Sequence, residues 1–389
     1  MRKKISLTAL AIALALSVCN AKDTNVADDK KESEILLGER LFFDAILSKN
    51  QTQSCSTCHN PEHGFIDDRD NGVAGAGSLG DDQKSVGDRN APTAAYAMFS
   101  PEFHFDAKKG EYVGGQFYDG RERDLAGQAG GPPTNPVEMG MPSKKFVADR
   151  LERDPYYSKE FKKLYGEDAF ENPQNAYAKM AQAIAAFERT KTFAPFDSKY
   201  DRFLKGEYDL TPLEDLGRTL FFSNNNNNCA SCHLLKKEDA PRETFTNYQY
   251  HNIGVPQNHD LMAKNALDPK TYVDHGLLNN PDVTDKKHDG KMKVPTLRNV
   301  AVTGPYMHNG AFAKLSTVVE FYDKYVNEER TINPETGKAW GKPEVEVGEA
   351  DVKLLKEAKA LNEKKIKALV AFMNALTDKR YESLVKDDN

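Results

Sequence analysis

Four cysteines and two histidines of this chain fall into one repeated pattern. Cys55-Ser-Thr-Cys58-His59 recurs 174 residues later as Cys229-Ala-Ser-Cys232-His233. A Cys-x-x-Cys-His run is the attachment pattern of a c-type haem. Both thiols add across the porphyrin vinyls, and the adjoining imidazole becomes a fixed axial ligand to iron. Two such runs point to two covalently bound haem c groups, with His59 and His233 as ligands to the haem irons. A four-thiolate zinc site fits less well, because zinc ribbons hold their knuckles closer together and have no use for a histidine after each pair. Disulfides within the pairs leave the histidines equally unexplained. The fifth cysteine, Cys19, lies in an apolar leader.

The elements that must carry these turns are also duplicated. Leu37-Gly38-Glu39-Arg40-Leu41-Phe42-Phe43-Asp44 precedes the first run, and Leu216-Gly217-Arg218-Thr219-Leu220-Phe221-Phe222-Ser223 precedes the second. One helix-then-haem unit used twice predicts two similar domains. The second unit opens with Thr211-Pro212-Leu213-Glu214, an N-cap, a first-turn proline and a capping-box glutamate. It reaches its cysteines through five asparagines, Asn224 to Asn228, a tract suited to turns. Asn172-Pro173 begins a helix with Ala176, Met180, Ile184 and Phe187 near helical spacing, and Asn362 caps a last one with Ile366, Leu369, Val370, Met373 and Leu376. Between Phe65 and Asp124 the chain is rich in Gly, Asp and aromatics without helical period, a long irregular region of the kind that carries function. Strand signal is slight. The expected class is mainly α, with two cytochrome c-like domains and long irregular loops. The expected boundaries are a signal peptide at 1–21, an N-terminal haem domain at 22–205 and a C-terminal one at 206–389.

Met1-Arg-Lys-Lys4, the apolar stretch Ile5 to Val18 and the small residues before Lys22 read as a secretory leader cleaved after Ala21. The apolar stretch is shorter than the roughly 20 residues that span a bilayer, and no later segment is long and apolar enough to do so. Export predicts the periplasm, where covalent haem is attached. The net charge of −6 becomes about −9 once Arg2, Lys3 and Lys4 are removed. No basic stripe of the kind that binds nucleic acid is present. An acidic surface suits a small basic electron carrier.

Taken with the haem runs, a set of short motifs resembles the bacterial dihaem cytochrome c peroxidase/MauG family from about Leu36 to Leu376. They are Gly87-Asp-Arg-Asn90-Ala-Pro92-Thr93, Gln116-Phe-Tyr118-Asp-Gly-Arg121, Gln128, Asn135-Pro-Val-Glu138-Met139, Val294-Pro-Thr-Leu-Arg-Asn-Val300 and Gly304-Pro-Tyr-Met-His308-Asn-Gly310. The resemblance implies that the N-terminal haem, with His59 proximal, activates hydrogen peroxide. It implies that Glu138 and Gln128 are the distal carboxylate and amide, and that the C-terminal haem holds or receives electrons. Cleaving O–O needs a proton moved from the inner to the outer oxygen, and a desolvated carboxylate can carry it. The resemblance also implies one calcium, bound by the Asn90 side chain and by carbonyls of Thr303 and Pro305, an oxygen set that suits the ion.

Departures from the family pattern carry information. No His lies between Gly64 and Phe103 to close the N-terminal haem; His63 and His104 are not expected to do so, which implies an open, five-coordinate site. Fourteen residues after His308, where the peroxidases carry an axial Met, stands Tyr322, the MauG pattern; a phenolate favours ferric and higher iron. Tyr118 replaces the usual inter-haem Trp, and the sole tryptophan, Trp340, lies elsewhere. The implied function is a periplasmic peroxidase-family oxidoreductase. Its electrons come from a small cytochrome c or cupredoxin or, MauG-like, from residues of a protein substrate; a homodimer is compatible with the family. The alternative is a dihaem electron-transfer cytochrome without catalysis, which would need neither Gln128 nor Glu138.

Overall fold

The computed structural model describes residues 28–223, 228–235 and 242–386. The expected leader and Asn224 to Asn227 of the asparagine tract lie outside these residues. The chain is mainly helical, with only three two-stranded ribbons among the described residues. These are His104–Asp106 with Glu111–Val113, Tyr250–His251 with Met292–Lys293, and Ile332–Asn333 with Lys338–Ala339, all antiparallel. The long segment after the first haem run is irregular, as its composition predicts, and is built from turns, 3-10 pieces and one of those ribbons.

The helix starts read from the sequence carry their caps. Asn172 accepts from the backbone N–H groups of Gln174 and Asn175 ahead of the helix Pro173–Glu188. Thr211 and Glu214 close a reciprocal capping box on Pro212–Phe221, and Asn362 accepts from Lys365 ahead of Glu363–Asn374. Each such cap stabilises its helix by about 1 kcal/mol.

The duplication extends to the packing. The helix at 28–43 crosses Pro173–Glu188 so closely that a Cβ on Gly38 would overlap the carbonyl oxygen of Ala183. In the second unit, a Cβ on Gly217 would overlap the carbonyl oxygen of Ala368, where Pro212–Phe221 crosses Glu363–Asn374. The Leu-Gly pair of both repeats therefore has one purpose: the glycine admits the return helix. Two separate buried clusters form around these crossings. One runs from Leu37 to Phe196 and includes Phe42, Phe161, Met180 and Ile184; the other runs from Tyr200 to Leu376 and includes Phe221, Phe245, Leu369 and Phe372.

Smaller contacts join the two halves. Val73, Ala76 and Val86 pack on Leu261, and Phe103 and Tyr112 pack on Tyr250, Leu277 and Val283. Arg89 makes 2.7 Å ion pairs with both Asp119 and Asp274. Tyr96 donates to Asp378 at 2.5 Å, and Tyr381 donates to the carbonyl of Pro61 at 2.6 Å. Buried charges this well paired are costly to break one partner at a time, so the relative placement of the halves is strongly held.

Candidate functional site

The two Cys-x-x-Cys-His turns have the same local geometry. Cys55–Cys58 and Cys229–Cys232 each form a single helical turn, and the histidine that follows donates its backbone N–H to the first cysteine's carbonyl. His59 Nδ1 meets the carbonyl of Phe65 at 3.1 Å, and His233 Nδ1 meets that of Phe245 at 2.9 Å. Both phenylalanines are fully buried with positive φ, so the acceptor is fixed by core packing. A carbonyl on Nδ1 sets the tautomer and leaves Nε2 free for a metal. Burial lowers the pKa of both imidazoles, to about 4 for His233, so both are neutral at physiological pH, as a ligand must be.

Beside the second turn is a cavity of about 290 Å³. His233, Cys229 and Cys232 line it together with Tyr322, Tyr118, His308, Leu297, Val319 and Met373. Tyr322 projects from the helix Leu315–Asp323, and its 38% accessible surface belongs to a residue of the cavity wall. Burial by the surrounding protein pushes its phenol well above its usual pKa, with the nearby cysteine thiols adding to the effect. His308 also faces this space, is 7% exposed, and its Nε2 has no hydrogen-bond partner. A covalently held, largely apolar group carrying its own polar edge fits such a wall; these residues fit a haem c.

At the first turn, the structure ties the distal candidates to the attachment loop. Gln128 lies in the short helix Leu125–Ala129, and the chain turns back through Pro132–Thr134 to Glu138. The carbonyl oxygen of Glu138 accepts from Gln53 Nε2 and from the backbone N–H of Asp81, both at 2.7 Å. Gln53 stands two residues before Cys55. Burial raises the pKa of the Glu138 carboxyl, and the guanidinium of Arg121 opposes that rise.

Tyr118 lines the cavity of the second turn. Its ring is 6.5 Å from that of His308, and its carbonyl accepts from Lys293 at 2.8 Å. The preceding residue turns the other way: Phe117, at φ 63°, lies against Gly131, and the Arg121 guanidinium covers its ring at 3.6 Å. For the expected calcium ligands, Asn90 Nδ2 is 2.5 Å from the Pro305 carbonyl, so two of the three come together. His63 stays on the loop directly after His59, bonded to the Asn60 carbonyl and paired with Asp68 at 3.7 Å, and His104 is exposed.

Sequence reasoning missed three charged groups. Glu188, 5% exposed, has an unpartnered Oε2 and a pKa pushed up to about 8 by burial, with Arg189 opposing weakly; its charge is felt at Cys55. The signal was available, because Glu188 continues the stripe Met180, Ile184 at a spacing of four. His251, on the cavity wall, meets Asp351 at 2.9 Å. Burial works against its charge, but the hydrogen bonds and charges of Asp351 and Cys232 together raise its pKa to about 10. Lys293 is pulled down to about 7 by burial, with Asp119 opposing. Nothing in the local sequence around 251 or 293 marks them.

A family model described as di-haem cytochrome c peroxidase matches residues 32–209. The chain is 48% identical to the methylamine utilization protein MauG of Paracoccus denitrificans over 370 residues, which is 94% of this chain and 93% of that one. It is 31% identical to the cytochrome c551 peroxidase of Nitrosomonas europaea, over 73% of this chain and 71% of that one. Among solved structures, the diheme peroxidase BthA of Burkholderia thailandensis superposes with a TM-score of 0.79 at 27% identity, covering 91% of this chain and 88% of that one. Identity at the level of the Paracoccus protein, over nearly the full length of both chains, makes this protein an oxidoreductase of the di-haem cytochrome c peroxidase/MauG family, with two haem c cofactors and with peroxide and other proteins as its partners.

Proposed function

We propose that the two haem sites divide the labour: peroxide reacts at the His59 haem, and the His233 haem, closed by Tyr322, holds the second oxidising equivalent. The observation that carries this is an asymmetry. Tyr322 lines the His233 cavity, whereas Glu138, partly buried, is hung by its backbone carbonyl from the loop that carries His59. Bound haem supplies the redox chemistry. Glu138 as carboxylate takes the proton of the inner peroxide oxygen and delivers it to the outer one, and the Gln128 amide orients the peroxide by hydrogen bonding. Two protons and two electrons then take hydrogen peroxide to two waters. Desolvation around Glu138 raises its pKa and so makes its carboxylate a stronger base toward peroxide.

The electrons come from residues of a partner protein in a MauG-like reaction, in preference to a small cytochrome c or cupredoxin. The Tyr at position 322 and the higher identity to a MauG than to a cytochrome c551 peroxidase both support that order. We place the protein in the periplasm on the strength of its leader. We divide it at 205/206; the buried clusters change over between Phe196 and Tyr200, so the helix Lys199–Leu204 packs with the C-terminal core. A calcium at Asn90, Thr303 and Pro305 is supported by the Asn90 side chain lying at the Pro305 carbonyl, where turning its amide over offers an oxygen in place of the nitrogen.

Stopped-flow mixing of the ferric holoprotein with peroxide tests the assignment. A rapid spectral change at the N-terminal haem, without prior reduction, is expected; no change would sink the open site. Supplying an amine-dehydrogenase precursor as electron source, in place of a reduced cytochrome, separates the two donor classes.

A further inference from the structure

Trp340 is the only tryptophan of the chain, and it stands one aromatic ring from Tyr322. The ring of Phe321 is 6.0 Å from that of Tyr322 and 5.7 Å from that of Trp340, centroid to centroid. Phe312 completes the packing, 5.1 Å from Phe321 and 5.8 Å from Trp340. Phe321 and Phe312 are buried to 1% exposure or less, whereas Trp340 is partly exposed. Its indole N–H donates to the Arg330 carbonyl at 2.8 Å. A continuous aromatic contact thus leads from the wall of the His233 cavity to the protein surface, and it ends on a side chain that gives up an electron far more readily than phenylalanine does.

We infer that Trp340 is redox-active: it delivers an electron toward the His233–Tyr322 cavity and is the point at which oxidising equivalents drawn from peroxide reach the surface. This rests on the assignment of Tyr322 to the second haem. Loss of one electron leaves an indole radical cation, its N–H still held by Arg330. A donor at the surface restores it. Without a donor the net reaction is indole plus hydrogen peroxide giving hydroxyindole plus water: the O–O bond breaks, a ring C–H becomes C–OH, and the electrons balance. The ammonium of Lys324 sits 3.9 Å over Phe321 and 5.7 Å from the Trp340 ring. A cation there opposes the positive charge on the indole and sets a threshold for its oxidation.

Treating ferric holoprotein with a few equivalents of peroxide and no electron donor, followed by peptide mass spectrometry, tests this. Oxygen is expected on the Trp340 peptide, prevented when cyanide blocks the peroxide-binding haem and when an excess of a small one-electron reductant is present. Lys324→Met is expected to raise the yield by roughly two- to tenfold, the factor that a lost cation–ring interaction represents. Peroxide consumed with Trp340 intact, or modification that cyanide does not prevent, overturns the inference and leaves the proposed function standing. A protein that does not consume peroxide overturns both.

Discussion

Gln53 donates from Nε2 to the carbonyl oxygen of Glu138 at 2.7 Å across 85 positions of sequence. Gln53 is 2% exposed and two residues from Cys55, so this one bond fixes the candidate acid–base relative to the first haem turn. The Asp81 N–H holds the same carbonyl.

Glu138→Gln is expected to slow the peroxide reaction by about 10²- to 10⁴-fold, the usual worth of a general acid–base, with little change in thermal midpoint. In the wild type the rate should rise with pH through a pKa above the ordinary carboxylate value, because burial disfavours the carboxylate that must accept the proton. Stopped-flow rates against pH check this, and a pH dependence surviving in the variant would exclude Glu138. Gln53→Leu should cost about tenfold through displacement of Glu138 alone.

Tyr322→Phe removes the proposed sixth ligand of the C-terminal haem while keeping a ring in the cavity wall. The electron paramagnetic resonance spectrum of that haem should change, with the thermal midpoint nearly constant. An identical spectrum would rule out ligation by Tyr322.

Burial raises the Glu188 pKa to about 8 in the folded state, from an ordinary value of 4.5. Folding therefore takes up a proton, and the contribution is complete below the unfolded value and is lost as pH rises through the folded one. Over pH 4.5 to 8 the wild type should lose stability relative to Glu188→Gln, by an amount on the order of a few kcal/mol at the upper end. The difference between the two thermal midpoints against pH is the measurement, and a pH-independent difference would contradict the raised value.

Gly38→Ala and Gly217→Ala each place a methyl into the carbonyl of the crossing helix. Each should cost about 1–3 kcal/mol, the range for overpacking a close contact. Equal losses in denaturant midpoint for the two are expected from the shared packing, and a neutral Gly217→Ala would show that the second crossing is looser than it looks.

The local features were legible because their causes are local. Caps at Asn172, Thr211 and Asn362 depend on a side chain and the next turn of backbone, so a four-residue window suffices. Glu188 and the Gly38/Gly217 pair were half legible: the repeat and the helical stripe are visible in one dimension, but only the crossing helix gives them a purpose. The clamp of Gln53 on Glu138 was not legible, because it joins residues 85 positions apart through a turn whose path is set by packing. Of the expected calcium set, the structure brings the Asn90 side chain to the Pro305 carbonyl, a meeting across 215 positions that no local pattern could announce.

By itself the sequence determined the cofactors, because covalent attachment needs two thiols and a histidine at one spacing, and it determined the duplication, because a repeated helix-then-haem unit repeats its residues. The tertiary structure decided which haem turn the remaining groups lie beside. It set Tyr322 and Tyr118 on the wall of one cavity and hung Glu138 from the other turn. The reason is physical: proximity and desolvation, the two quantities that make a phenol a ligand or a carboxyl a base, arise only when distant segments pack together.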